Sequence, residues 1–241
     1  MSAELLIYAI VAAGLVFWLR NILGTRHGEE RERSNPAATP DSIQAQLDNE
    51  FKTELTQDGA QEKISDLAKN PKGVMSIDNK SAENGLLDIA NADKSFDIKF
   101  FLDAAQDVFA MVVETFAEGD RETLRDLLGD KVYNAFESAI TDRETKEHKQ
   151  KTEIQSIQKA RVIEAKLEGK KASVTIRFEA QQVSTTLDKD GATIEGNANR
   201  TVKMIDIWTF GRDVKSKDPR WLVIETRGDF EGDNELIPDT E

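Results

Sequence analysis

No cysteine occurs in the 241-residue chain. Disulfides, thiolate metal sites and a cysteine nucleophile are therefore excluded, and the absence accords with a reducing compartment. Histidine is nearly absent too: His27 and His148 lie in unrelated segments, so neither a His-x-x-x-His metal pair nor a serine–histidine triad has a basis. The chain has no glycine-rich phosphate loop. Positive charge is scarce, with 32 Lys and Arg against 45 Asp and Glu and a net charge of -13. Direct nucleic-acid binding needs a clustered positive surface, and this balance argues against it. Taken together, these absences predict a protein that is not an enzyme and needs no metal or cofactor.

The remaining composition divides the chain. A hydrophobic content of 39% supplies one core, while 32% charged residues imply solvated linker or tail besides. The one long apolar run is Leu5 to Leu19, with Arg20 and then Asn21-Ile22-Leu23 behind it. From Leu5 to Leu23 is about 19 residues, or roughly 28 Å as a helix. A bilayer core is about 30 Å thick, so the run spans it if Arg20 snorkels to the headgroups. Leu5, Leu6, Ile7, Ile10, Val11, Leu15, Val16, Phe17 and Leu19 would face lipid, and Trp18 would sit at the interface. Glu4, the lack of any Lys or Arg before the run, and the lack of a small-x-small cleavage pattern favour a retained anchor over a signal peptide. Arg20, Arg26, Arg31 and Arg33 all follow the run, which orients the bulk of the chain to the cytoplasmic side.

The expected organisation is an anchor at 1–24, a juxtamembrane linker at 25–93, a folded domain at 94–228 and an acidic tail at 229–241. Asn35-Pro36 and Thr39-Pro40 break the linker. An amphipathic helix is expected near 41–57, with Ile43, Leu47, Phe51 and Leu55 spaced four apart. Its polar face carries Asp48, Glu50 and Glu54, which suits its own domain or a protein partner better than lipid. From Gln57 to Lys80 polar residues dominate, which reads as flexible connection.

Within the domain, Ser95 or Asp97 caps a long helix to about Ala117, followed by a short helix over 121–128 and another from Asp130. That third helix is expected to run into a charged end at Arg143–Lys151. Period-two patterns then take over at 154–167, 172–183, 201–212 and 220–226, with Asp188-Lys-Asp190-Gly191 as a hairpin signal. Aromatics are only 7% of the chain, yet two of the three tryptophans sit in Asp206-Ile-Trp208-Thr-Phe210-Gly-Arg212 and Pro219-Arg-Trp221. Helices followed by a hairpin-linked sheet predict an α+β fold, a curved antiparallel sheet backed by a long helix. Such a sheet forms a cone with an apolar mouth, and Phe100, Phe101, Phe109, Met111, Trp208, Phe210 and Trp221 are the candidate pocket or partner residues. Lys146, Lys149, Lys151, Lys159 and Arg161 form a candidate basic patch that could meet anionic lipid or an acidic protein. Asp206 is the one carboxylate in an apolar setting. An acid in such a cone could serve as a general base; the simpler reading is that it pairs with Arg177 or Arg212 across the sheet or sits at the rim.

From about Ala92 to Gly228 the chain resembles the C-terminal domain of the 44-kDa subunit of the mitochondrial inner-membrane import translocase and its bacterial relatives. The pieces that carry this are Ala92-Asp-Lys-Ser-Phe96-Asp with Phe101-Leu-Asp-Ala-Ala105, Phe116-Ala-Glu-Gly-Asp120, Val174-Thr-Ile-Arg-Phe178, and Asp206-x-Trp208-Thr-Phe210-x-Arg212 with Asp218-Pro219-x-Trp221. The resemblance implies a nuclear-transport-factor-two-like (cystatin-like) cone and a non-enzymatic role. In the mitochondrial family this domain associates with the inner membrane, including cardiolipin, and links the import channel to a 70-kDa chaperone motor. Related domains serve as membrane-side ribosome receptors. This chain departs from that form in its own apolar anchor and its shorter upstream region. The resulting expectation is a single-pass adaptor of the bacterial inner membrane whose cytoplasmic domain holds a chaperone, translocon, ribosome or membrane complex. The alternative is a lipid- or small-ligand-binding module using the same apolar mouth.

Overall fold

A computed structural model describes residues 57–229 together with 237, 238 and 240. The anchor at 1–24 and most of the helix expected near 41–57 lie outside these residues. Among the described residues no helix is long and apolar enough to cross a membrane.

The described chain runs α1 (Gln57–Lys69), β1 (Met75–Ile77), α2 (Lys80–Ala92), α3 (Ile98–Glu118), α4 (Arg121–Leu127), α5 (Asp130–Thr145), β2 (Lys149–Glu168), β3 (Lys171–Leu187), β4 (Thr193–Gly196), β5 (Val202–Asp213) and β6 (Leu222–Gly228). The fold is α+β. Its sheet has six strands in the order β1-β2-β3-β5-β6, with β4 paired to β3. It is mixed rather than wholly antiparallel, because β1 joins β2 in parallel through Met75↔Ala160 and Ile77↔Val162.

Residues 57–93 are the largest departure from the expected linker. Ile64 and Leu67 of α1, Ile77 of β1, and Ala82, Leu86 and Ile89 of α2 all belong to the core. The Asn79 side chain caps α2 by accepting the Ala82 N–H at 2.9 Å. Polar residues dominate this stretch by number, but its few apolar ones fall on one side of each helix, and that is enough for docking.

The long helix α3 starts and stops where its sequence dictates. The Asp97 carboxylate accepts the Lys99 and Phe100 N–H groups. Gly119, at φ 79°, closes the other end in the left-handed region that favours glycine. Phe101, Leu102, Ala105, Phe109, Val112, Val113 and Phe116 turn inward from α3, and Val132, Phe136 and Ile140 do so from α5. They meet Ala160, Val162, Val174, Ile176, Phe178, Trp208 and Phe210 of the sheet. Phe109 stacks on Phe178 at 4.4 Å, and Phe116 meets Phe136 edge-on at 5.0 Å.

The third helix ends sooner than expected. Glu147 adopts φ 55°, and β2 starts at Lys149, inside the run read as a charged helix end. β2 and β3 then pair along nearly their whole length, with irregularities near residues 155, 158 and 163 that bend the sheet. A few residues of the expected acidic tail fall among those described. Ile237 is 7% exposed and joins the core, and Thr240 pairs with Thr226 of β6.

Candidate functional site

Two clefts hold residues that the sequence marks as candidates. The more apolar holds about 440 Å³ between the first turns of α3, the end of α4, β5 and the loop before β6. Residues four apart on a helix share a face, and Phe100, Ala104 and Val108 form one wall in that way. Phe101 and Phe210 form the floor, meeting edge-on at 5.8 Å, and Trp221 packs on Phe101 at 4.8 Å. Leu127 and Pro219 close the sides. Phe100 is 75% exposed although helix packing sets the rest of this aromatic cluster around it.

The charged groups around the apolar floor are held in ion pairs. Arg212 holds Asp93 at 2.9 Å, with both side chains largely buried. Arg220 bonds Asp218 at 2.8 Å and reaches Asp126 at 3.6 Å. Asp97 bonds Lys63 of α1 at 2.8 Å. Burial pushes the Asp97 carboxyl up, but Lys63 and the Phe100 and Lys99 amides outweigh it and hold the group below its ordinary value. Asp218 is likewise held low by Arg220.

Asp97 thus serves as both helix cap and ion-pair partner. Asp97→Ala is expected to cost about 1 kcal/mol, the usual loss for a helix cap. Because the folded carboxyl titrates lower than the unfolded one, its contribution is present above the ordinary carboxylate range and disappears as pH falls through the folded value. Thermal melts of the two chains should therefore differ at neutral pH and converge in acid.

The seven candidate pocket residues separate. Phe100, Phe101, Phe210 and Trp221 line the cleft. Phe109 and Trp208 are fully buried and pack on each other at 4.8 Å, so they are core. Met111 is 45% exposed on the same helical stripe as Phe100, about 16 Å further along α3 and beyond the cleft lining. Ala104, Val108, Leu127 and Pro219 also line the cleft, although the sequence reads the first three as helix core and Pro219 as part of the Trp221 motif rather than as pocket residues. The i, i+4 spacing of Phe100, Ala104 and Val108 was the available signal.

The second cleft, about 770 Å³, lies where α3 and α5 end against the start of β2. Lys149 and Lys151 line it, with Arg143 and His148, but so do Glu118, Glu144 and Glu153. Arg143 donates to the Phe116 and Ala117 carbonyls and sits 4.9 Å above the Phe116 ring, closing the C-terminus of α3. Lys159 and Arg161 are elsewhere: Arg161 is about 33 Å from Lys151 along β2 and bonds Asp78 at 3.3 Å. The five residues, with Lys146 beyond the end of α5, therefore do not form one basic patch.

Asp206 is 5% exposed in β5, opposite Phe178 and Gly228. Arg212 holds Asp93, and Arg177 bonds Asp229 at 2.7 Å and also engages Glu179. Among the described residues no group of three or more His, Asp or Glu side chains could hold a metal ion.

Comparison with known proteins adds three findings. The family profile described as Tim44-like domain matches residues 82–228. The large ribosomal subunit protein mL45 of Drosophila melanogaster is 22% identical over 178 residues, 71% of this chain, and the chain spans 46% of that protein's length. The intermembrane space region of the chloroplast protein ARC6 superposes with a TM-score of 0.40 at 11% identity, over 55% of this chain and 96% of that one.

Proposed function

Because the chain belongs to the Tim44-like domain family, we propose that it is a non-enzymatic adaptor held at a bacterial inner membrane by residues 1–24, with its folded domain on the cytoplasmic side. The domain holds a protein partner there, of the class of a chaperone, a translocon, a ribosome or an assembling membrane complex. The observation that carries this reading is Phe100. A phenylalanine that is 75% exposed at the lip of an apolar cleft is the kind of anchor that protein interfaces bury. The relationship to a ribosomal subunit protein supports a partner that is itself a large assembly.

The test is a photo-crosslinking residue at position 100 in the full chain, in native membranes, read by mass spectrometry. A discrete crosslinked protein is expected. Phe100→Asp should abolish crosslinking from a neighbouring reporter at position 104 while leaving the melting temperature nearly unchanged, since the side chain is mostly in water already. A chain that crosslinks to no protein at native levels would rule the adaptor reading out.

The cleft volume also favours a second reading. About 440 Å³ falls within the range of small-ligand sites, and an apolar floor suits an acyl chain. Native mass spectrometry of the purified chain would then show a bound lipid that Ala104→Trp excludes.

A further inference from the structure

The edge of β2 that faces away from β3 carries its bonding groups at alternate residues. Three bonds fix which residues these are. The Ile154 N–H donates to the Glu114 carboxylate at 3.0 Å, the Ala160 N–H donates to the Val74 carbonyl at 2.8 Å, and the Val162 carbonyl accepts the Asp78 N–H at 2.9 Å. The ladder from Lys149 to Ile154 has no irregularity. Thr152 and Gln150, two and four residues before Ile154, therefore turn their N–H and carbonyl groups outward as well. Among the described residues nothing bonds those four groups. The edge is thus met by a side chain at Ile154 and by β1 at 160–162, and it is bare where the strand begins.

The second cleft follows this bare stretch. Five consecutive residues, Lys149 to Glu153, line it. Neighbours in a strand point to opposite faces, so one cleft that reaches all five runs along the strand's edge. The ends of α3 and α5 form its other wall, at Gly119 and Arg143. A groove with an unpaired strand for one wall is the geometry of strand addition.

Charge selects the occupant. Arg143 bonds the Gln150 side chain, which puts Gln150 and Thr152 on the helix side and Lys149, Lys151 and Glu153 on the far side. All three of the latter are exposed, and neither lysine has an ion-pair partner among the described residues. Directly opposite residues of paired strands attract when their charges differ and repel when they match. The complementary strand thus carries acids opposite Lys149 and Lys151 and a base opposite Glu153. A second copy of β2 fits poorly, because two-fold pairing through Gln150 and Thr152 sets Lys151 against its own equivalent.

We propose that the open edge of β2 at Gln150 and Thr152 is a strand-acceptor site for an extended segment of a protein partner, added antiparallel and reading base-x-acid-x-acid. The site is separate from the Phe100 cleft and does not rest on the adaptor reading.

The experiment uses the full chain and a fluorescent peptide, Thr-Lys-Val-Glu-Val-Glu-Thr, with binding read by anisotropy. Its lysine falls opposite Glu153, its glutamates opposite Lys151 and Lys149, and its valines bond Thr152 and Gln150. N-methylation of the two valines removes the amides that face β2 and should weaken binding about tenfold or more, whereas N-methylation of the two glutamates should not. Thr152→Pro removes an outward N–H and leaves the ladder to β3 intact, so it should match the valine methylation. Thr152→Val keeps that N–H and should bind as the unsubstituted chain does. Lys149→Glu with Lys151→Glu should reverse the preference, toward a peptide with lysines in place of its glutamates. No saturable binding up to about 1 mM peptide would overturn the proposal. Equal effects of the two methylation patterns would do the same, as would an unchanged preference in the charge-reversed chain. If Thr152→Pro does not fold, the methylated peptides on the unsubstituted chain still decide. A chain that dimerises, and that Thr152→Pro makes monomeric, has a second copy as the occupant, and the proposal fails.

Discussion

Asp93→Ala is expected to destabilise the domain by about 3–5 kcal/mol, the range for stripping one partner from a buried ion pair. Arg212 keeps only 11% of its side chain exposed and Asp93 only 9%. The substitution leaves a guanidinium in that setting with its nearest carboxylate removed. It also deletes the acceptor for the Ser95 N–H at 3.0 Å and hydroxyl at 2.6 Å, which shape the turn between α2 and α3. In a domain of this size the melting temperature should fall by about 10 °C or more. The control is Asp93→Ala combined with Arg212→Met, which removes both charges and should recover much of the loss. If the single variant costs under about 1 kcal/mol in urea unfolding, the pair is solvated and this account of it is wrong.

Gly85→Ala should be nearly as damaging, although alanine is the better helix former. A Cβ at this position would lie 1.9 Å from the Ala165 carbonyl oxygen and 2.5 Å from its carbon. Both are backbone atoms of β2, so neither can swing aside as a side chain would. α2 must instead move off the sheet, loosening Leu86 and Ile89, both fully buried. The cost expected is about 3 kcal/mol, at the upper end for overpacking. Hydrogen exchange should localise it, with α2 amides losing protection while those of β5 keep theirs. Uniform loss across the domain, or an unchanged melt, would contradict the docking described.

These two residues mark where the sequence was and was not legible. The strand of Trp208 and Phe210 announces itself by period-two alternation, and α3 by its stripe between Asp97 and Gly119. Those elements carry most of the core, and the α+β class follows from them. Asp93 and Gly85 lie in a stretch that reads as spacer, because polar residues dominate it by number and its apolar residues fall on two short helices rather than one long stripe. Its partners are remote: Ala165 is 80 positions from Gly85, and Arg212 is 119 from Asp93. No local window holds that information. The parallel strand β1 escaped for the same reason, since three residues are too few to show a period. At the cleft, aromatic identity alone marked Phe109 and Trp208 together with Phe100 and Trp221. Only the packing distinguishes rings that face helix and sheet from those that face water. The lysines failed as a group because spacing along a strand is distance: ten residues of β2 carry a charge out of reach of its neighbours.

The Asp93–Arg212 separation also has a consequence in time. A ribosome makes roughly 5–20 residues per second, so about 6–24 s pass between the synthesis of the two halves of that ion pair. α2 emerges early, and the strand that receives Gly85 is completed tens of residues later. During that interval Leu86 and Ile89 lack the sheet that covers them in the finished domain, and only the earlier α1 and the following α3 can pack beside them.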